Sequence, residues 1–267
     1  NTRSSSGGET RGLRADYGEK IIYTKMVVRA HELWEKWQTE WERKLMYSTG
    51  RLVIGSPDYR EYATKAKQRL QPFGLESEIL EQNEIINRWP QLGVLDGEVA
   101  LYDAGGIGGS TLLAREACRA VTEKFIEKGG MFIHAKAFPG KVVDGKLQSI
   151  RLDDGSTLQA DQYVFAGGPW MGNIFPEVLK DKLKVYRRDV LFIGTPAGDP
   201  RFSYPNLPNW SFQGARFYGF PDLHGRGLKA APYPDYNTIN MDVDERLINP
   251  IEVKRLRDFV KLRFPAL

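Results

Sequence analysis

Three short stretches of this chain carry residue types suited to handling a small charged molecule. In Thr10-Arg11-Gly12-Leu13-Arg14 two arginines stand three residues apart in a loop with few counter-charges. Their guanidinium forks either present to an anion or lie solvated at the surface. In Phe217-Tyr218-Gly219-Phe220-Pro221, followed by Gly227-Leu228-Lys229, the lysine shares a strand face with Gly227 and Ala231. Its ammonium then stands in a hollow with aromatic neighbours, fit for electrostatic work or a depressed pKa. An exposed edge lysine that guards a sheet against pairing is the competing reading. The third stretch is Gly167-Gly168-Pro169-Trp170 after Tyr163-Val164-Phe165-Ala166. Its glycines let backbone N–H groups approach a ligand, or make a tight strand-to-helix turn.

Other candidates read as structural. The run Gly105-Gly106-Ile107-Gly108-Gly109 invites a dinucleotide fingerprint, but Leu101-Tyr102-Asp103 is too short and polar to be the buried strand such a turn requires. It reads as a glycine loop at a helix start. Cys118 reads as a packed thiol beside an apolar stripe, with no histidine at useful range. His31 reads as a partly exposed helical histidine, and Trp34, Trp37 and Trp41 at helical spacing as core or lid packing.

The elements that hold these stretches follow from periodicity. Residues 1–19 are a small-residue loop that must lie against something else. Ile22, Met26, Ala30, Leu33, Trp37 and Trp41 mark an amphipathic helix. A broken strand over 47–54, helices over 58–71 and 81–89, and a strand over 98–102 come next. Ser110 is placed to cap a helix whose Leu113, Ala117, Val121 and Phe125 repeat every four residues, ended by Gly129-Gly130. A strand over 131–137, hairpin turns at Asp144-Gly145 and Asp154-Gly155, and a short buried strand over 163–166 complete an α/β layer. Beyond about residue 180 the pattern is antiparallel: a long strand over 183–195, strands over 216–220 and 227–231, and a covering helix from Asn249-Pro250.

Composition narrows the class. Of 267 residues, 41% are hydrophobic and 27% charged, ordinary usage for a globular chain that needs no disulfide or metal staple. One cysteine and three scattered histidines argue against a thiolate or zinc centre, so no metal is expected. No apolar run is long enough to span a bilayer and no signal segment opens the chain, which leads us to expect a cytoplasmic protein with no membrane partner. The net charge of +4 comes from 38 basic and 34 acidic residues interspersed throughout. That balance suits an anionic small ligand and leaves a non-catalytic anion- or RNA-binding module as a rival, with no nucleic-acid partner expected.

Taken in order, SSSGGETRGLRADYGE (4–19), STGRLVIG (48–55), EIINRWP (84–90), the block from Asp103 to Ala137, ADQYVFAGGPW (160–170), VYRRDV (185–190) and FYGFPDLHGRGLK (217–229) resemble the FAD-dependent amine and amino-acid oxidoreductases of the D-amino-acid-oxidase superfamily. The nearest likeness is to the monomeric sarcosine oxidase and N-methyltryptophan oxidase branch. The resemblance runs through essentially the whole chain. It implies an α/β plus α+β protein: an incomplete FAD-binding, glutathione-reductase-like domain (1–43 and 103–178) interleaved with an antiparallel-sheet substrate domain (44–102 and 179–267). A βαβ unit with GxGxxG is expected before Asn1 and further flavin contacts after Leu267, so the chain reads as an internal fragment, inactive as it stands.

The same resemblance implies roles residue by residue. Thr10 and Arg11 match the loop passing the flavin ring, with Ser6 in the variable pair just before it. Arg14 matches the arginine that grips the substrate carboxylate, and Tyr218 an aromatic lining the pocket. Lys229 matches the lysine beside the flavin that promotes reaction with dioxygen. Gly167, Gly168 and Trp170 match the second flavin-contacting loop, and Ala137 the position against the adenine. Tyr233 stands where relatives carry a histidine, which bears on substrate identity. The implied cofactor is FAD, the partners a small amine or amino-acid substrate and dioxygen or another electron acceptor. A dehydrogenase of the same fold, passing electrons to a quinone or a protein, is the alternative.

Overall fold

The protein is described by a computed structural model over residues 4–233, 238–244 and 247–267. After a single 3-10 turn at Ser5–Gly7, β1 (Arg11–Arg14) and α1 (Ile21–Glu40) lead to the short β2 (Met46–Tyr47). Then come β3 (Arg51–Gly55), α2 (Tyr59–Leu70), β4 (Ser77–Leu80), α3 (Gln82–Arg88), β5 (Val99–Asp103) and β6 (Gly109–Leu112). α4 (Ala114–Glu127) is followed by five short strands: β7 (Ala137–Pro139), β8 (Val142–Val143), β9 (Lys146–Leu147), β10 (Ile150–Leu152) and β11 (Thr157–Leu158). Two single-turn helices, α5 (Met171–Ile174) and α6 (Pro176–Leu179), precede β12 (Leu191–Ile193), β13 (Asn209–Phe212), β14 (Phe217–Phe220), β15 (Leu228–Pro232) and α7 (Pro250–Arg263).

The chain divides into two compact units. The larger comprises Glu9–Ala114, Arg188–Asp235 and Arg246–Leu267; the smaller comprises Asn1–Gly8, Arg115–Arg187 and Tyr236–Glu245. The larger is built on a seven-stranded mixed sheet in the order β12-β15-β14-β13-β3-β5-β4. All its pairs are antiparallel except β13 with β3, where Asn209 to Phe212 run alongside Arg51 to Ile54. A second, three-stranded sheet of this unit sets β6 between β1 and β2. The first and last thirds of the sequence thus share one sheet, whereas residue patterning alone suggested a separate antiparallel layer in the last third.

One face of the large sheet holds the core. Leu191, Ala230, Gly219, Trp210 and Leu52 face one another strand by strand, and Phe212, Phe217, Ile54 and Leu228 extend the same surface. α7 lies on it: Phe259 stacks on Phe217 at 4.4 Å and on Trp210 at 5.7 Å, and Phe264 tilts onto Trp210 at 4.9 Å. Asn249 caps α7 by accepting from the Ile251 N–H, with Pro250 at the first helical position. Arg263 at the helix end is buried and forks onto Glu98 at 2.6 and 2.8 Å. Such a pair is costly to bury and costlier to break.

Several expectations are corrected. Ser110 lies inside β6, bonded from its hydroxyl to the Gly106 carbonyl, and the helix starts four residues later. The glycine run therefore turns the chain into a strand. In α4 the buried side chains are Ala114, Ala117 and Ala120, while Val121, Phe125 and Cys118 are exposed. The helix buries its small-residue stripe, so Cys118 is not a packed thiol. His31 is 4% exposed, with the Ser110 hydroxyl 3.3 Å from its Nε2, and burial pushes its pKa down.

Residues 131–137 and 163–166 form no strand beyond Ala137, and Met131 and Val164 are 77% and 90% exposed. Apolar alternation makes a strand only where a neighbour supplies the ladder, and neither segment has one among the described residues. The long strand expected over 183–195 is realised only at β12, with Tyr186 adding an isolated bridge to Thr238. Residues 11–14, taken as loop, pair with β6 as β1. The turns at Asp144-Gly145 and Asp154-Gly155 do join β8 to β9 and β10 to β11, but β8 and β9 form a ribbon separate from the β11-β10-β7 sheet. Among the described residues no helix is long and apolar enough to cross a membrane, and no cluster of His, Cys, Asp and Glu could hold a metal.

Candidate functional site

Residues directly opposite one another in a sheet point to the same face, so the register sorts the other face of the large sheet. Phe192 of β12 faces Lys229 of β15, which faces Phe220 of β14. One row along, Ala231 faces Tyr218, and Tyr218 faces Ser211 of β13. Opposite the apolar core, this surface gathers Lys229, Tyr218, Ser211 and two phenylalanines, Phe192 and Phe220. The small Ala231 is fully buried and sits two residues from Lys229 on this face. Gly219, between Tyr218 and Phe220, packs its backbone against the Trp210 indole and the Lys229 carbonyl on the core side, leaving no room for a Cβ.

Lys229 is 5% exposed, and its Nζ donates to the Thr10 carbonyl at 2.9 Å and to Thr10 Oγ1 at 2.8 Å. The ammonium sits 4.6 Å from the centroid of the Phe220 ring, a cation–π contact in a desolvated place. No carboxylate among the described residues forms an ion pair with it. Burial chiefly, and then the Arg11 charge, push its pKa down to about 8 against the opposing pull of Glu9. Glu9 itself is ion-paired with Arg226. A cation this buried is fixed in place and strongly felt by any charge formed beside it.

β1 brings the early loop to the same surface. Its antiparallel pairing sets Arg11 opposite Leu112 and Arg14 opposite Gly109. Thr10 bonds Lys229, and a Cβ on Gly12 would touch the Phe220 ring at 3.5 Å, so the alternate residue Arg14 points from β1 toward that side as well. Arg14 is exposed, with its guanidinium 4.9 Å from the Tyr17 ring centroid and no ion pair among the described residues. Arg11 donates from Nη1 to the Thr10 carbonyl. That oxygen therefore accepts from both Arg11 and Lys229.

Tyr218 is half-buried and its hydroxyl accepts from Arg188 Nη1 at 3.1 Å, with the guanidinium carbon 5.3 Å from the ring centroid. Tyr233 lies 5.7 Å from Tyr218, ring to ring, and its hydroxyl is 2.9 Å from Ser211 Oγ. Sequence reasoning included Phe220 in the aromatic stretch beside Lys229 without giving it a role, and missed Arg188 and Ser211 as members of this surface. Phe220 was legible as the residue two along from Tyr218; Arg188 and Ser211 needed the pairing register.

The remaining predicted residues lie in the smaller unit. Gly167, Gly168 and Trp170 share one turn, where Gly168 has φ +54° and open space on its Cβ side. The Trp170 indole N–H donates to Asp242 at 3.1 Å, and Asn173 holds the other oxygen of that carboxylate at 3.0 Å. Ser6 is exposed in the first 3-10 turn, and Ala137 is exposed at the start of β7 opposite Leu152.

Comparison with known proteins bears on what such a chain is. A family model described as DAO, FAD dependent oxidoreductase, matches residues 2–267. Monomeric sarcosine oxidase from Bacillus sp. (strain B-0618) is 25% identical over 277 residues, a match that covers 99% of this chain and 68% of that protein. N-methyl-L-tryptophan oxidase from Yersinia pestis (strain Pestoides F) is 27% identical over 173 residues, covering 64% of this chain and 45% of the relative. Among solved structures, NikD, described as an unusual amino acid oxidase essential for nikkomycin biosynthesis, shares the fold with a TM-score of 0.73 at 16% identity, over 100% of this chain and 69% of that one.

Proposed function

The chain belongs to the family of FAD-dependent oxidoreductases, and from that membership we propose that it oxidises the C–N bond of a secondary amine or amino acid and returns the electrons to dioxygen. The observation that carries the reading is the buried Lys229 ammonium, bonded to Thr10, seated on Phe220 and unpaired with any carboxylate among the described residues.

The residues present fit a flavin by the chemistry of the donor set: fixed cationic donors at Lys229 and Arg11, an aromatic floor at Phe220, and open backbone at Gly168 in the smaller unit. Thr10, Arg11 and Lys229 would hold the ring; Gly167, Gly168, Trp170, Ser6 and Ala137, in the smaller unit, keep the cofactor role that the family resemblance gives them. Bound FAD supplies two-electron acceptor chemistry. By role we divide the chain into cofactor-binding residues 1–43 and 103–178 and substrate-binding residues 44–102 and 179–267.

The protein's own groups then do three things. Arg14 grips the substrate carboxylate with a two-pronged guanidinium and so fixes the direction in which the reacting C–H points. Tyr218 walls the pocket beside it. Lys229, held by Thr10 and shielded from water, lowers the cost of negative charge arriving on dioxygen without having to reorganise.

Lys229→Met tests this in the FAD-loaded protein. Reoxidation by dioxygen is expected to slow about a hundredfold, as for loss of one preorganised donor, while anaerobic reduction by substrate changes little. An unchanged oxygen rate removes the role given to Lys229. Dye reduction with no oxygen uptake in the unaltered protein assigns it to the dehydrogenases of the same fold.

A further inference from the structure

We infer that Arg188, with Tyr218 and Tyr233, forms a subsite for a second carboxylate on the substrate, so that the preferred substrate is an N-alkylated amino acid with an acidic side chain. The inference rests on the reading of this sheet face as the substrate wall.

Arg188 is exposed, yet its guanidinium is not left to wander. One N–H is fixed on the Tyr218 hydroxyl at 3.1 Å and the plane lies over the Tyr218 ring at 5.3 Å. Both partners are neutral, and among the described residues no carboxylate pairs with it. An arginine serving only structure is generally compensated by an acid, as Arg263 is by Glu98. Arg188 is instead oriented by groups that leave its charge and most of its donors for something else.

Position supplies the rest. Tyr218 and Phe220 are alternate residues on one face of β14, with ring centroids 6.3 Å apart. Phe220 floors the Lys229 ammonium and Tyr218 carries Arg188. The two cations therefore rest on neighbouring aromatic rings of one sheet face. Together with Arg14 they make three cations with no ion-paired acid among the described residues. One α-carboxylate on Arg14 leaves that positive excess largely unmet, and a second carboxylate at Arg188 meets it. The Tyr233 hydroxyl, already oriented by Ser211 at 2.9 Å, stands beside Tyr218 as a further donor.

Calorimetric titration of the FAD-loaded protein with glutarate and with pentanoate, which replaces one carboxylate by a methyl group, measures the subsite without turnover. Glutarate is expected to bind at least about tenfold more tightly, the scale of one charge-assisted fork. Arg188→Met should erase that gap while leaving pentanoate unchanged, and Arg188→Lys should restore part of it. In turnover, Arg188→Met should raise KM for N-methyl-L-glutamate about tenfold more than KM for N-methyl-L-norvaline. A gap that survives in Arg188→Met, or that is absent from the unaltered protein, overturns the proposal. If the gap is present and depends on Arg188 but neither N-methyl amino acid reduces the flavin, the subsite stands and the proposed oxidation falls.

Discussion

Burying an ammonium without an acid partner leaves a signature in stability that needs no substrate. In the unfolded chain Lys229 holds its proton up to about 10.5, whereas in the folded protein it gives it up near 8. Below pH 8 both states carry the charge, and the folded state bears the whole penalty of keeping it out of water. Between the two values the unfolded state binds more protons, so stability rises with pH and the penalty is relieved. At about 1.4 kcal/mol per pH unit of displacement, the relief between pH 7 and pH 9.5 comes to about 2 kcal/mol. Other groups titrate over the same range, so the informative quantity is the difference between the protein and Lys229→Met, in which the rest cancels. Urea unfolding of both, followed by tryptophan fluorescence with the fully buried Trp210 reporting on this sheet, should show the unaltered protein gaining on the variant by that amount. A difference that stays flat across the range would falsify the picture of a desolvated, unpaired lysine.

Two further outcomes concern the frame around the site. Arg263→Ala strands Glu98 as a buried charge, and its remaining bond from the Leu95 N–H does not compensate. A loss of about 3–5 kcal/mol is expected, most of it recovered when Glu98→Leu is combined with Arg263→Met; a loss below 1 kcal/mol in the single variant would show the pair to be solvated. Gly219→Ala drives a methyl group into the Trp210 indole and the Lys229 carbonyl, for a cost of about 3 kcal/mol, read as a lowered urea midpoint. Unchanged stability would mean that β14 shifts freely beneath Trp210.

What the sequence disclosed depended on whether the signal was local. The helix start at Asn249-Pro250, the turns at Asp144-Gly145 and Asp154-Gly155, and the aromatic neighbour of Lys229 are written within a few residues, and all are present. Segments 131–137 and 163–166 look like strands in isolation because alternation records what a residue tolerates, and only a partner decides whether a ladder forms. His31 is buried through Ser110, 79 residues away, and Cys118 is exposed because α4 buries its alanines. Both outcomes are tertiary. Arg188 was visible only as part of a quoted motif; the Tyr218 contact that gives it meaning spans 30 residues, from just before β12 to β14. The family likeness named residues of this sheet face because it compares whole ordered sets of residues, where single patterns are ambiguous.

The one parallel seam in the large sheet has a consequence for how the molecule comes into being. Arg51–Ile54 must wait for Asn209–Phe212 before its second edge is closed, and everything in between, including most of the smaller unit, is made first. At ribosomal speeds of about 5–20 residues per second, a nascent chain carries β3 with bare amides and carbonyls for on the order of ten seconds. That interval is an invitation to pair with a neighbouring chain. Holding chaperones should therefore matter more to the yield of this protein than its finished stability would suggest.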